Sequence, residues 1–357
     1  MPFLQIDSKK FNHNFQTLKQ RISPSDASKI AIVLKDNAYG HGLKEIASLA
    51  HNQKITTTFV KNTKEALEVA NFFSNITILY PNSLPNESFF KECLDSKNIY
   101  FCAGSLDFLN TLPKNTQIEL KINSGMNRNG IQRAQLHKAF SIIKQKQLNL
   151  IGIFTHNGFG DDFGVEFFTQ NKNFLEIKKE ALKLCNEFSL PRPRFHSLST
   201  SSALRKQEDN LPQELQDNLY RIGIGFYGYL CTNSKLSINI PLQPIASLFA
   251  NKISTLKLPK HSRIGYGGAS KIAQDSFVST YDIGYGDGLF RLRENMHLHT
   301  KEGFKILPRI SMDCLSIESD KDCVCLFDDV SEWSKAFHTI PYEILSHLHS
   351  YIPKKII

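Results

Sequence analysis

Residues 30–42 read IAIVLKDNAYGHG: a β-branched apolar run stops on a lysine, and the chain then turns through Asn37, Gly40 and Gly42. Lys35 is thus an amine at the end of a buried strand. A low dielectric there disfavours the charged form, so the pKa falls and the free amine can attack a carbonyl carbon. Taken alone, the segment fits better a strand-end lysine whose ammonium reaches out into water. The rest of the chain decides between the two.

Short β-rich runs recur at 57–60, 76–80, 99–102, 118–122, 150–155, 195–198 and 221–226, making eight with the first. Between them lie GLKEIASLA, KNTKEALEVANFF, RAQLHKAFSIIKQK, VEFFTQNKNFLEIKKEALKLCNEF and PQELQDNL, whose apolar residues fall at helical spacing. Parallel strands need crossover helices, and eight such units predict a (β/α)8 TIM barrel; a doubly wound open sheet is the main competitor. After Gly228 the texture changes. SLFANKISTLKLP, DSFVSTYDIGYGDG, FKILPRISMDCLSIES and CVCLFDD alternate apolar and polar residues, the pattern of antiparallel sheet. The expected organisation is a barrel over residues 1–230 and a β-rich domain over 231–357, packed closely because no Pro/Ser linker divides them.

Composition excludes several classes. The 357-residue chain has a formal net charge of +9, but its lysines are scattered and it has one Trp, so nucleic-acid binding gets little support. A general attraction for small anions remains. Seven cysteines, at 93, 102, 185, 231, 314, 323 and 325, form no CxxC pair and fit reduced thiols. Cys323 and Cys325 read as alternating strand residues, with no second ligand pair and hence no metal site. The N-terminal MPFLQIDSKKFNHN has no apolar core of a signal peptide, and no run approaches a membrane span, so a cytoplasmic protein is expected.

Barrel chemistry concentrates at the C-terminal ends of the strands. Those ends carry Lys35, then Lys121 and Asn123 with Arg128 beyond, His156, Ser201, and finally Arg221, Gly223 and Ile224. Singly, each has an ordinary role: a satisfied strand-end histidine, a solvated loop arginine, an N-cap serine. Jointly they are hard to dismiss. LSTSSAL and RIGIGFYG fall where barrels commonly bind phosphate, and the glycines at 223 and 225 let a ligand approach the main chain. A Schiff-base lysine and a phosphate cradle on one barrel point to pyridoxal phosphate, which carries both an aldehyde and a phosphate.

At this level the chain resembles the alanine racemases, fold-type III pyridoxal-phosphate enzymes. LKDNAYGHG resembles their cofactor-lysine signature, KINSGMNRNG their K-V-D-T-G-M-x-R-x-G stretch, and GIFTH their strand-end histidine motif. SLSTSSA, RIGIGFYG, RIGYGGAS, IGYGDG and RISMDC resemble further family blocks, all in family order. The resemblance implies that Lys35 binds the cofactor aldehyde, with Tyr39, Ser201 and the backbone N–H groups of Gly223 and Ile224 on the phosphate. Arg221 would face the pyridine nitrogen and, unable to give up its proton, leave that nitrogen unprotonated and the ring a weaker electron sink. Lys35 and Tyr266 would be the two acid-base groups. Tyr266 would reach into the partner of a homodimer, with His156, backed by Arg221 in a hydrogen-bonded chain, lowering its pKa. Arg128 and Met312 would meet the substrate carboxylate, Tyr285 would narrow the entrance, and Lys121 would be open to carbamylation.

The sequence departs from the family pattern in places. Asn123, Asn127 and Thr200 replace usual family residues, and His196 lies one residue farther from Ser201 than the histidine that supports the pyridine-facing arginine. The C-terminal phosphate-binding tyrosine falls on Ser350 or Tyr351 according to register, with Tyr351 the expected residue. The implied activity is interconversion of L- and D-alanine, a step that supplies D-alanine for bacterial peptidoglycan. Related decarboxylases place an acidic group at the pyridine nitrogen, where this chain has Arg221. Single-barrel cofactor carriers lack a β domain.

Overall fold

The computed structural model describes residues 1–81, 88–205 and 211–357. Among them, eight parallel strands pair in chain order from Ile30–Val33, Thr57–Val60 and Asn75–Ile78 through Ile99–Ala103, Gln117–Lys121 and Asn149–Phe154 to Arg194–His196. The last, Tyr220–Ile222, returns beside the first: Ile30 pairs with Tyr220 and Ile32 with Ile222. Between Arg194–His196 and Tyr220–Ile222 the ring is tied by Asn218 N–H to Phe195 O (2.7 Å) and Arg221 N–H to Leu198 O (2.9 Å). The nearly closed ring excludes the open sheet. All four residues of Ile30–Val33 are buried, as are those of Thr57–Val60, which is why the barrel strands read as unbroken apolar runs.

The crossover helices include Leu43–Asn52, Leu136–Gln145 and Glu166–Glu187, each burying one apolar stripe. PQELQDNL departs from its helical reading and makes one 3-10 turn, Gln213–Leu215. Two side chains pull its second half out of a helix. The carboxylate of Asp217 pairs with buried Lys178 at 2.6 Å and accepts from the Ser197 N–H at 2.6 Å, while Asn218 Oδ1 accepts from the Phe195 N–H at 2.7 Å.

The second sheet is antiparallel around a long strand, Ala246–Leu258, which pairs with Cys323–Phe327 and Ser276–Tyr281. The sheet includes a segment that the sequence reading leaves in the barrel. Phe3–Ile6 pairs antiparallel with this long strand, Phe3 facing Phe249, and parallel with Lys354–Ile356, so both ends of the chain close the second sheet. Four residues are too short for a periodic signal, and their partners lie more than two hundred positions away. Among the described residues no helix is long and apolar enough to cross a membrane, and no group of three or more His, Cys, Asp or Glu side chains could hold a metal ion.

Candidate active site

A cavity of about 340 Å³ opens at the C-terminal ends of the barrel strands. Its floor and walls bring together Lys35, Tyr39, Lys121, Arg128, His156, Ser201, Arg221, Gly223 and Ile224. These come from five strand ends and the loops beyond them, so only the closed barrel makes them neighbours.

The turn after Lys35 has an unusual backbone. Asp36, Asn37, Ala38 and Tyr39 all lie in the left-handed region, with φ of 53–55°, where each non-glycine residue costs about 1–2 kcal/mol. Side-chain ties hold it: Glu65 accepts from the Asn37 N–H at 3.0 Å, Asn37 Oδ1 accepts from the Leu43 N–H at 2.9 Å, and Lys61 pairs with Asp36 at 2.5 Å. The result turns the Tyr39 ring into the cavity wall between Tyr227 and Tyr342, with centroids 5.1 and 5.7 Å away. The next residue has to be glycine. A Cβ on Gly40 would sit 1.9 Å from the carbonyl oxygen of Leu345 in the helix Pro341–His347 of the second domain.

That helix supplies a residue the sequence reading missed. Tyr342, on its first turn, lines the cavity with Ile340. Tyr351 does not: its hydroxyl donates to Asp287 Oδ1 (2.9 Å) and to Gly286 O (3.1 Å) on the second domain, and it is 60% exposed. Within this chain the C-terminal tyrosine of the cavity is therefore Tyr342, nine positions earlier. The helix start after Pro341 gave no chemical signal of its own, because an aromatic on an amphipathic turn usually reads as core.

The electrostatics are dominated by four cations, Lys35, Lys121, Arg128 and Arg221, around one space. Burial lowers the Lys35 pKa, and nearby Arg128 adds to that. Burial, with Arg128, Arg221 and Lys35, brings Lys121 down to about 8; its ammonium lies over the rings of Tyr80 and Phe154 at 5.6 and 6.0 Å. His156 is pushed down to about 3 by burial and by the same cations, so its ring is neutral. Arg221 donates to Thr155 O at 2.8 Å, to Ser197 O at 3.3 Å and to His196 Nδ1 at 2.6 Å. Its bonds run to His196 rather than to His156, which corrects the expected chain behind His156: His156 follows the strand end, while His196 points inward from the neighbouring strand. The extra residue between His196 and Ser201 therefore leaves the His196–Arg221 contact intact.

Asp161, also unforeseen, is the one carboxylate lining the cavity among the described residues, and it accepts a hydrogen bond from Ser201 Oγ. The two asparagines that depart from the family pattern bond each other. Asn123 Nδ2 donates to Asn127 Oδ1 at 2.8 Å, and Asn123 Oδ1 accepts from the N–H groups of Gly125 and Asn127, folding the loop that carries Arg128.

The residues present fit a ligand bearing an aldehyde and a phosphate. Lys35 supplies an amine of lowered pKa, and Ser201 and Tyr39 supply hydroxyls. At Gly223 a Cβ would lie 2.5 Å from the Tyr39 hydroxyl, so glycine leaves open the strip of main chain that a phosphate needs.

Tyr266 and Met312 lie outside this cavity, on the second domain. Tyr266 sits at the tip of a two-stranded hairpin, Arg263–Ile264 with Ser270–Lys271, where Gly265, Gly267 and Gly268 have φ of 63–73°. It is 62% exposed, and Met312 is 54% exposed. Tyr285 is held beside Met312 by its N–H bond to Ser311 O at 3.0 Å and by the Gly286 N–H to Met312 O at 2.8 Å.

A barrel whose strand ends converge two lysines and two arginines on one cavity, capped by a helix of an attached β-domain, defines a two-domain barrel enzyme. The family model for the alanine racemase N-terminal domain matches residues 6–231, and the model for the C-terminal domain matches 245–356. Alanine racemases of a Nitratiruptor species and of Campylobacter concisus are 34% and 36% identical over 99% and 100% of both chains. The chain belongs to the alanine racemase family, a family of isomerases. Solved alanine racemases of Clostridium difficile 630 and Enterococcus faecalis share the fold, with TM-scores of 0.85 and 0.83 at 23% and 24% identity, covering all of this chain and 95% and 98% of theirs.

Proposed function

We propose that the protein interconverts L- and D-alanine in the cytoplasm as a homodimer with pyridoxal phosphate, supplying D-alanine for peptidoglycan. The observation that carries this reading is the division of the site: Lys35 and the phosphate cradle share one cavity, while Tyr266 and Met312 stand exposed on the same chain's second domain. An exposed tyrosine at a hairpin tip and an exposed methionine on a loop support a site that a second copy completes.

When bound, pyridoxal phosphate supplies an electron sink that acidifies the substrate's α-hydrogen. Tyr39, Ser201, Tyr342 and the N–H groups of Gly223 and Ile224 would hold its phosphate, and Arg221 would face its ring nitrogen as a donor. Lys35 Nζ moves a proton to or from the α-carbon on one face, and the partner copy's equivalent of Tyr266 does so on the other. Arg128 and the N–H of Met312 bind the substrate carboxylate, and Tyr285 narrows the entrance. The Lys121 amine, at about 8, is free enough near neutral pH to add carbon dioxide, forming an N–C bond and releasing a proton; the resulting carbamate orients Arg128.

The test is loss of optical rotation from single-enantiomer alanine by protein with added cofactor. Wild type should racemise both enantiomers, and Lys35→Ala neither. Failure of wild type on both enantiomers ends the proposal.

A further inference from the structure

Below the cavity the barrel interior carries a buried polar chain. Glu119, on Gln117–Lys121, is fully buried. Its Oε1 accepts from Arg194 Nε at 2.6 Å and lies 3.1 Å from His196 Nε2. The opposite ring nitrogen, Nδ1, is 2.6 Å from Arg221 Nη1. A guanidinium has only donors, so Nδ1 must accept. The neutral ring then carries its proton on Nε2 and donates it to Glu119. One tautomer satisfies both ends.

The surroundings hold that ring still. Phe154 stacks on His196 with centroids 4.8 Å apart and planes 12° from parallel, and Phe59 meets it edge-on at 5.2 Å. Room for the carboxylate comes from the neighbouring strand, where a Cβ on Gly152 would lie 2.5 Å from Glu119 Oε1. Glu119 Oε2 has no hydrogen-bond partner among the described residues, so both of the carboxylate's bonds go to Arg194 and His196 through one oxygen. Burial by itself would raise the Glu119 pKa; Arg194 and His196 outweigh it and hold the carboxyl below the usual range, as an anion. Burial also brings His196 down to about 4, so its ring is neutral in the working range.

We propose that Glu119 is a positioning residue of the active site: by fixing the Nε2–H tautomer of His196 it aims the Arg221 guanidinium into the cavity. The inference rests on the function proposed above for Arg221. The competing explanation is that Glu119 only neutralises Arg194 inside the barrel.

The double variant Glu119→Leu/Arg194→Leu separates the two. Replacing a buried ion pair by apolar residues together is often neutral for stability, so it should fold while leaving His196 without its acceptor. In protein with ¹⁵N-labelled histidine, wild type should show His196 protonated at Nε2 alone, with that proton shifted downfield by its carboxylate bond. In the double variant the shifted signal should vanish, cofactor affinity should fall, and kcat should drop roughly ten- to a hundredfold, the range for losing a group that orients a working residue. KM for alanine should barely move, since Arg128 is the residue assigned to the carboxylate. Arg194→Lys keeps a cation beside Glu119 and so keeps its carboxylate bond to His196; it should retain the shifted signal and a kcat near wild type. If the double variant does not fold, Glu119→Gln provides the readout, because loss of charge at constant volume should move the Nε2 proton upfield. Wild-type kcat and cofactor affinity in the double variant, or an unmoved proton in Glu119→Gln, overturns the proposal. Should wild type racemise neither enantiomer, the assigned activity fails, while the His196 signals still decide whether Glu119 sets the tautomer.

Discussion

Gly223→Ala adds a methyl group where the cavity has none to spare. Its Cβ would lie 2.5 Å from the Tyr39 hydroxyl and 3.1 Å from the ring carbon that bears it, whereas ordinary contact begins at 3.4 Å. The hydroxyl must therefore retreat by close to an ångström. Its ring cannot swing aside, because Tyr227 and Tyr342 flank it and its backbone is held in the left-handed region. Gly223 itself is not in that region, so alanine strains nothing else. The expected loss is one hydrogen bond to a charged phosphate, about 1.5–3 kcal/mol, or roughly ten- to a hundredfold in cofactor affinity. Titrating apoprotein with pyridoxal phosphate and following the bound cofactor's absorbance measures this directly. Saturated with cofactor, the variant should keep an alanine KM close to wild type. Cofactor affinity equal to wild type would refute the assignment of Tyr39 and Gly223 to the phosphate.

Three further outcomes are expected. Lys35→Ala and Tyr266→Phe should each be inactive, yet mixed and reassociated subunits should recover about a quarter of wild-type turnover, because half the dimers are mixed and each has one intact site; no recovery would remove Tyr266 from the partner's cavity. Asp161→Asn removes a like charge beside the phosphate cradle and should tighten cofactor binding about fivefold, equivalent to roughly 1 kcal/mol for a charge contact in a wet cavity; weaker binding would make Asp161 a support for Ser201. Asp217→Asn leaves buried Lys178 unpaired at a cost of about 3–5 kcal/mol, read as a lower Tm. Burial opposes but Lys178 outweighs, so the Asp217 pKa is depressed in the fold. Its stabilisation is therefore present above the unfolded value near pH 4 and lost as pH falls through the folded one. The variant's Tm should accordingly change less than wild type's on acidification below about pH 4.

The barrel was legible because parallel strands covered on both faces must be apolar throughout, and several runs end beside a polar residue where the fold opens. That logic reached Lys35 and His156, just past strand ends, and Arg221 on the last strand, and all three line one cavity. It could not reach Tyr342 or Asp161, whose entry into the cavity depends on how a helix of the second domain docks and how the loop after Phe154 folds back. Neither docking nor loop closure leaves a periodic trace. Phe3–Ile6 was missed for a related reason, since its partners are set by tertiary pairing rather than by spacing.

Glu119 was hidden differently. In IELKI it alternates with apolar residues, and one charged position in a strand reads as an outward, solvated face. In a closed barrel that alternate face is the interior. Burying an unpaired carboxylate there would be prohibitive, so its presence requires partners from other strands: Arg194 and His196 lie two strands along the ring, with Gly152 on the strand between them making room. The signal is thus a set of four positions on three successive strands, which parallel pairing brings together on one inward face. A charge at an inward barrel position, opposite a glycine on the next strand, is the pattern to look for. Here it leads through one histidine to the arginine at the back of the cavity.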